Sequence, residues 1–135
     1  MNTYLCEAMR KCAALLLMAL LVACGSPSDE EVAGRTAKLY YEALLDGRYD
    51  DFVAGIDNRY APSRSYREQL RASTKMFVAR QEKLHHGITG FELETTEVGD
   101  SGRSANVFLI VSYADSTSEQ IVVPMVQRDG LWLMR

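Results

Sequence analysis

The segment most informative about the fold is Ala105-Asn106-Val107-Phe108-Leu109-Ile110-Val111-Ser112-Tyr113. Every second residue of this stretch, beginning with Ala105, is apolar, and Phe108 and Ile110 add two apolar residues between them. This pattern is typical of a central β-strand that is covered on much of both faces. The chain is therefore expected to contain a sheet with this strand near its middle.

The segments on either side predict the rest of that sheet. Residues 91–96 alternate between apolar and polar, so the odd-numbered side chains are expected to face the core and the even-numbered ones water. Two apolar segments, 121–126 and 131–134, flank the dipeptide Asp129-Gly130, which is a typical hairpin turn. The sequence thus predicts four antiparallel strands joined as a meander.

The half of the chain that precedes these strands has helical spacing instead. Apolar residues fall close to helical spacing over residues 30–45 and 49–56 and at intervals of four and seven over 64–85, which predicts a long, a short and a second long helix. Ser28 and Ser65 each begin a predicted capping box, with a Glu three residues later. Helices first and strands afterwards predict an α+β domain, with the N-terminal helices packed on a curved antiparallel four-stranded sheet.

The N-terminus resembles the signal peptide of a bacterial lipoprotein. Two basic residues precede the uncharged apolar run 12–23, which spans roughly 18 Å and is too short for a hydrocarbon core of about 30 Å. The run ends in Leu21-Val22-Ala23-Cys24-Gly25-Ser26, and every position of this motif matches the lipobox, in which the Cys is lipidated. Lipidation of Cys24 is therefore predicted.

This motif divides the chain and suggests its location. We expect a signal peptide over residues 1–23, a tether over 24–29 and one domain over 30–135. Because Gly follows Cys24, the motif resembles the class sorted to the outer membrane, so the predicted location is the cell envelope, on its periplasmic or surface face. The lipid makes the membrane a partner, whereas a net charge of −3 gives no general attraction to nucleic acid.

The segment that connects the first two predicted helices resembles part of a known fold. The segment Leu44-Leu45-Asp46-Gly47-Arg48-Tyr49-Asp50, together with the order of helices and strands, resembles the nuclear transport factor two-like (cystatin-like) cone. More narrowly, the chain resembles small bacterial lipoproteins of this fold whose domain has no assigned function. The resemblance covers residues 30–134 and implies a fold that often encloses a pocket.

The best-known enzymes of this fold resemble ketosteroid isomerase, which implies an Asp base beside an oxyanion hole of Tyr and a protonated Asp. Tyr40 or Tyr41 could stand where that Tyr would. The predicted core face of the central strand, however, holds no carboxylate, and Glu92 and Glu94 lie on the polar face of their strand. No catalytic residues are assigned, and a pocket enzyme of this kind stays as an alternative hypothesis.

The two histidines, His85 and His86, are neighbours at the end of the second long helix. Adjacent helical side chains point about 100° apart and do not converge on one ion. We expect this pair to be a solvated helix terminus that suits the helix dipole. Neither a metal nor another cofactor is predicted.

Tyrosines on the helical layer form the first candidate binding site. Five of the seven tyrosines fall between residues 40 and 66, and each offers an apolar ring with a polar tip. Tyr40, Tyr60 and Tyr66 are predicted to line the mouth of a pocket. The alternative is that most of these tyrosines pack the helices on the sheet, with their hydroxyls reaching water.

Basic residues on the second long helix form the other candidate. Arg67, Arg71 and Lys75 follow one another at four-residue spacing, so they lie on one stripe of the helix. Such a stripe could rest on anionic lipid headgroups or dock an acidic partner. The alternative is that the stripe is simply the solvated face of a long helix.

The predicted function is that of a lipid-anchored envelope protein, acting as a non-catalytic binding module for a small molecule, peptide or protein partner. The pocket enzyme named above is one alternative. The other is a structural subunit of an envelope complex, dimeric through the outer face of the sheet, where Phe108 and Ile110 would form an exposed patch.

Overall fold

The computed structural model describes residues 25–59 and 63–135, so the predicted signal peptide, Cys24 and Tyr60 lie outside the described residues. Within the described ranges, three helices precede four strands, as the sequence predicts. They are α1 (Asp29–Leu45), α2 (Tyr49–Ala54), α3 (Arg64–His85), β1 (Ile88–Val98), β2 (Ser104–Tyr113), β3 (Ser118–Arg128) and β4 (Leu131–Met134). None of these helices has the length and apolar character that crossing a membrane requires.

The strands pair in chain order, each antiparallel to the next, and the helices pack on one face of the curved sheet. The predicted α+β architecture is thereby confirmed. The turn from β3 to β4 needs a left-handed backbone at two successive residues, and Asp129 (φ 50°) and Gly130 (φ 80°) supply it. β3 begins at Ser118, a few residues before the predicted apolar segment.

The core lies between α1 and the sheet. The alternate residues of β2 from Ala105 to Tyr113 are all buried, as predicted, and Met125 and Trp132 extend the core across the two following strands. α1 meets this surface with small residues, because a helix lies closest to a sheet where its side chains are short.

Gly34 shows how close α1 comes to β1. A Cβ atom at this position would lie 2.6 Å from the Thr96 hydroxyl oxygen and 2.9 Å from a Leu93 methyl carbon. Both separations are shorter than real Cβ contacts, so a side chain here would require the Thr96 and Leu93 side chains, or the helix itself, to shift.

β1 departs from the predicted alternation. Its register against β2 shifts between Leu93 and Thr95, so that two residues of β1 advance against one of β2. As a result Thr95 is exposed and Thr96 is buried, the reverse of the predicted faces. A β-bulge of this kind turns the following side chains to the opposite face, which the simple period of two does not anticipate.

The two long helices begin at capping serines. Ser28 accepts a hydrogen bond from the Glu31 backbone N–H at 3.2 Å, which confirms the serine half of the first predicted capping box, whereas the Glu31 carboxylate pairs with Arg35. The second predicted cap is wrong, because Ser63 rather than Ser65 has the extended backbone of an N-cap and accepts from the Tyr66 N–H at 3.1 Å. α2 is also shorter than predicted and ends at Ala54.

Candidate functional site

Two tyrosines of α1 pack the helices against the sheet. The Tyr41 ring meets Phe52 of α2 and Phe91 of β1 edge-on, with ring centroids 5.3 Å apart in each pair. The Tyr40 ring lies against Gly55, and its hydroxyl donates a hydrogen bond to the Trp132 backbone carbonyl at 3.0 Å. Burial raises the pKa of both tyrosines.

The predicted pocket of three tyrosines stays a prediction. Tyr66 lies on α3 and is 45% exposed, whereas Tyr40 is half-buried where α1 meets the end of α2 and β4. Tyr60 is outside the described residues. Neither Tyr40 nor Tyr66 lines the cavity that the structure shows beside α3.

This cavity, the α2–α3 cleft, has a volume of about 470 Å³ and opens between α2 and the N-terminal half of α3. It combines three guanidinium groups, two carboxylates, one amide and two small apolar side chains. The residues that line it are Asp50, Val53, Ala54, Asn58, Arg64, Arg67, Glu68 and Arg71. The cleft therefore brings together two of the three predicted basic residues, Arg67 and Arg71.

Ion pairs engage two of the three arginines in the cleft. The Arg64 Nε lies 3.2 Å from a Glu68 carboxylate oxygen, and the Arg71 Nε lies 3.4 Å from an Asp50 carboxylate oxygen. All four side chains are exposed, and such pairs contribute little to stability. None of the ion pairs within 25–59 and 63–135 includes Arg67. Because the lining has three guanidinium groups and two carboxylates, Arg67 is the arginine without a carboxylate partner in these ranges.

The third predicted basic residue, Lys75, lies outside the cleft. Its ammonium is 5.8 Å from the centroid of the Tyr49 ring, which is a cation–π distance. Tyr49 begins α2, so Lys75 joins the same two helices one turn further along α3. Helical spacing in the sequence predicts the basic stripe on α3. The structure shows that α2 and Asn58 form the opposite wall of the cleft.

The prediction of a solvated histidine pair holds for His86, which is exposed, but needs correction for His85, which is half-buried. The His85 ring stacks on Tyr113 with centroids 4.2 Å apart, and its Nδ1 lies 2.8 Å from an Asp115 carboxylate oxygen. Two backbone bonds join the same elements: the Asp115 N–H donates to the His85 carbonyl, and the Ala114 N–H donates to the Gly87 carbonyl. This His85–Asp115 clamp fastens the C-terminal end of α3 to the turn between β2 and β3.

The pKa values of Asp115 and Tyr113, which both contact His85, are shifted from their ordinary values. Hydrogen bonds from the Thr117 hydroxyl and from His85 lower the pKa of Asp115 to about 2. Burial raises the pKa of Tyr113 most, and the hydrogen bond that its hydroxyl donates to the Glu119 carboxylate raises it further. The part of the chain that the structure describes contains no group of three His, Cys, Asp or Glu residues arranged to hold a metal ion.

Comparison with known proteins identifies the fold but not the activity. No family model and no curated relative matches the chain. A crystal structure of a Campylobacter jejuni protein, whose name gives it as a provisional NTF2-like transpeptidase, matches with a TM-score of 0.58 at 18% identity, covering 73% of this chain and 92% of that one. The chain has the NTF2-like fold. Aln2 from a Streptomyces species matches with a TM-score of 0.42 at 16% identity, covering 75% of this chain and 81% of that one.

The NTF2-like sheet also has an outer face, which points away from the helices. Phe108 and Ile110 lie on it and are half-buried, and Val122, paired with Phe108 across the strands, is 49% exposed. Phe108 and Ile110 are the two residues that the dimer hypothesis names, and Val122 lies beside them. Dimerisation through this face stays a prediction.

Proposed function

We propose that the chain is a non-catalytic binding module, anchored in a bacterial envelope membrane by a lipid on Cys24, and that the α2–α3 cleft is its binding site. The observation that carries the proposal is a cavity of about 470 Å³ with three guanidinium groups in its lining. Cavities of roughly 300–1,000 Å³ suit small ligands. Polar groups of both signs in the lining would fix the orientation of such a ligand.

Contacts of the two α1 tyrosines favour binding over catalysis. An enzyme of the ketosteroid-isomerase-like kind aims a Tyr hydroxyl at its substrate, with an acid beside it. Here the Tyr40 hydroxyl donates to a backbone carbonyl, and the Tyr41 ring lies between two phenylalanines. Both tyrosines therefore act in packing, which weakens the alternative of a pocket enzyme.

The lipobox supports the anchor. Cys24 follows an uncharged apolar run at the position that lipidation requires, and α1 begins at Asp29, five residues further on. A tether of this length would keep the folded domain near the membrane surface. The Gly after Cys24 supports sorting to the outer membrane.

A thermal-shift screen of the full chain tests the binding role. A library of neutral, cationic and anionic small molecules should contain compounds that raise the melting temperature, because a ligand that binds only the native state stabilises it. Ala54→Trp should abolish the shift, because Ala54 is exposed in the lining and the indole would fill the cleft. Ala72→Trp, on the exposed surface of α3 outside the cleft, is the matched control. The role is rejected if no compound shifts the melting temperature, or if Ala54→Trp leaves the shift intact.

Metabolic labelling with an alkyne fatty acid tests the anchor. The wild-type chain should take up the label and sediment with the membrane fraction, whereas Cys24→Ser should do neither. Cys6→Ser, which lies outside the lipobox, should behave as the wild type. An unlabelled wild-type chain would refute the anchor without affecting the binding role.

A further inference from the structure

We infer that the α2–α3 cleft takes a small organic anion, a molecule that carries a carboxylate or phosphate group, and that Arg67 is the residue that receives this group. The inference rests on the proposed function, because it names the class of ligand for the same site. Three observations carry it: the charge balance of the lining, the polarity of the end of α3, and the exposed ion pair between Arg71 and Asp50.

Charge balance singles out Arg67. Each carboxylate in the lining already faces an arginine, Glu68 facing Arg64 and Asp50 facing Arg71. Within the described ranges no carboxylate pairs with Arg67, although its side chain lines the same cavity. A planar guanidinium with a free fork of N–H donors matches the two oxygens of a carboxylate or phosphate.

Polarity at the start of α3 reinforces this charge. The N-terminal end of a helix carries a partial positive charge, which acidic residues usually offset. The first turn of α3 has no acidic residue and includes Arg64 and Arg67. Like charges therefore accumulate at this end of the helix, and an anion bound in the cleft would offset both the helix dipole and the guanidinium groups.

The pair between Arg71 and Asp50 shows that an anion already occupies one side of the cleft. Asp50 is exposed, and its carboxylate lies 3.4 Å from the Arg71 Nε, so this contact is weak and can be exchanged. A ligand anion that spans Arg67 and Arg71 would replace the Asp50 carboxylate. Removal of that carboxylate should therefore tighten binding.

Calorimetric titration of the full chain in an uncharged detergent tests the inference. The probes are succinate, glycerol 3-phosphate and, as the neutral control, glycerol, all at one low ionic strength. We expect saturable binding of at least one anion and none of glycerol. Arg67→Gln should weaken this binding about tenfold or more, as expected for loss of a charge-assisted contact. Asp50→Asn should tighten it about two- to fivefold.

Arg80→Gln is the matched control, because Arg80 is exposed on the same helix but lies outside the cleft. It should leave anion binding unchanged. Equal weakening by Arg67→Gln and Arg80→Gln would overturn the inference, because it would show a general electrostatic effect. Circular dichroism melts of each variant confirm that it is folded.

The same chemistry is available from a lipid headgroup, and vesicles distinguish the two sources. More sedimentation with phosphatidylglycerol vesicles than with phosphatidylcholine vesicles, with the excess lost in Arg67→Gln, would support the anion site and identify its source as a headgroup, because a lipid on Cys24 would bind both kinds of vesicle equally. If neither soluble anion nor anionic vesicles bind, the inference is overturned. If a neutral or cationic compound from the library then binds and Ala54→Trp blocks it, the proposed binding role survives while the anion assignment fails.

Discussion

Helices α1 and α3 are both long, but they are held in different ways. α1 buries five of its seventeen residues and forms one side of the core. α3 buries one of its twenty-two residues, Thr74, and leaves Phe77 and Leu84 exposed. The comparison shows that α1 is part of the structural framework, whereas the surface of α3 is largely free of packing constraints and can carry a site.

The beginnings of the two helices differ in the same sense. α1 starts with three acidic residues, Asp29, Glu30 and Glu31, which suit the positive end of the helix dipole. α3 starts with no acid and with two arginines in its first turn. Local choices that oppose stability are expected at functional sites rather than in the framework.

A leucine-to-alanine substitution on each helix should show the greatest difference between α1 and α3. Leu44→Ala on α1 should lower the free energy of unfolding by about 2–5 kcal/mol, because Leu44 is 3% exposed and its removal leaves a cavity. Leu84→Ala on α3, where the side chain is 57% exposed, should change it by less than about 0.5 kcal/mol. Urea unfolding measures both. Equal losses would show that α3 is part of the framework after all.

An intermediate effect tests the close approach of α1 to β1. Gly34→Val should cost about 1–3 kcal/mol, because even its Cβ would lie 2.6 Å from the Thr96 hydroxyl oxygen. Ala72→Val places the same β-branched residue on the exposed surface of α3 and should cost only a few tenths of that. Thermal unfolding of the two variants gives the difference. If Gly34→Val is neutral, the Thr96 and Leu93 side chains or the helix itself can shift without loss of stability.

The sequence predicts most of the framework because its signals are local. The bounds of α3 and β4 are as predicted, since Gly87 and the Asp129-Gly130 turn mark where the period changes. The bulge after Leu93 was missed, because one extra residue in a strand leaves no mark in an apolar–polar pattern. The pattern does not predict Ser63 as the cap, because Tyr66 stands three residues after it, whereas Ser65 has Glu68 at that position.

Only part of the candidate site can be predicted from the sequence, because its other residues lie on elements that are distant along the chain. Arg67 and Arg71 follow from helical spacing alone, but their partner Asp50 belongs to another helix, and only the path of the chain brings it near. The clamp between His85 and Asp115 is missed in the same way, because it joins the end of a helix to a distant turn. Contacts of this kind depend on tertiary structure, which no local pattern encodes.

A milder change is expected at the C-terminal end of α3, which the His85–Asp115 clamp holds. The folded pKa of Asp115 is about 2, below its ordinary value, because Thr117 and His85 hydrogen-bond the carboxylate. The clamp should therefore stabilise the fold above about pH 4, and this contribution should be lost as the pH falls towards about 2. Urea midpoints between these pH values should fall less steeply in Asp115→Asn than in the wild type.

Asp100→Asn is the matched control for this measurement, because Asp100 is exposed in the turn between β1 and β2. Its acid profile should follow that of the wild type. If Asp115→Asn shows the same profile as both, the clamp does not help to hold the helix in place.

Trp132 allows the folding of this protein to be followed by fluorescence. It is the one tryptophan of the chain, it is 2% exposed, and the Tyr40 hydroxyl bonds its carbonyl. Its fluorescence therefore reports from a single place, where the last strand closes against the first helix, and Tyr40 is near enough to pass excitation energy to it. Because Trp132 is not among the residues that line the α2–α3 cleft, this emission offers an internal gauge of folding separate from any signal of ligand occupancy.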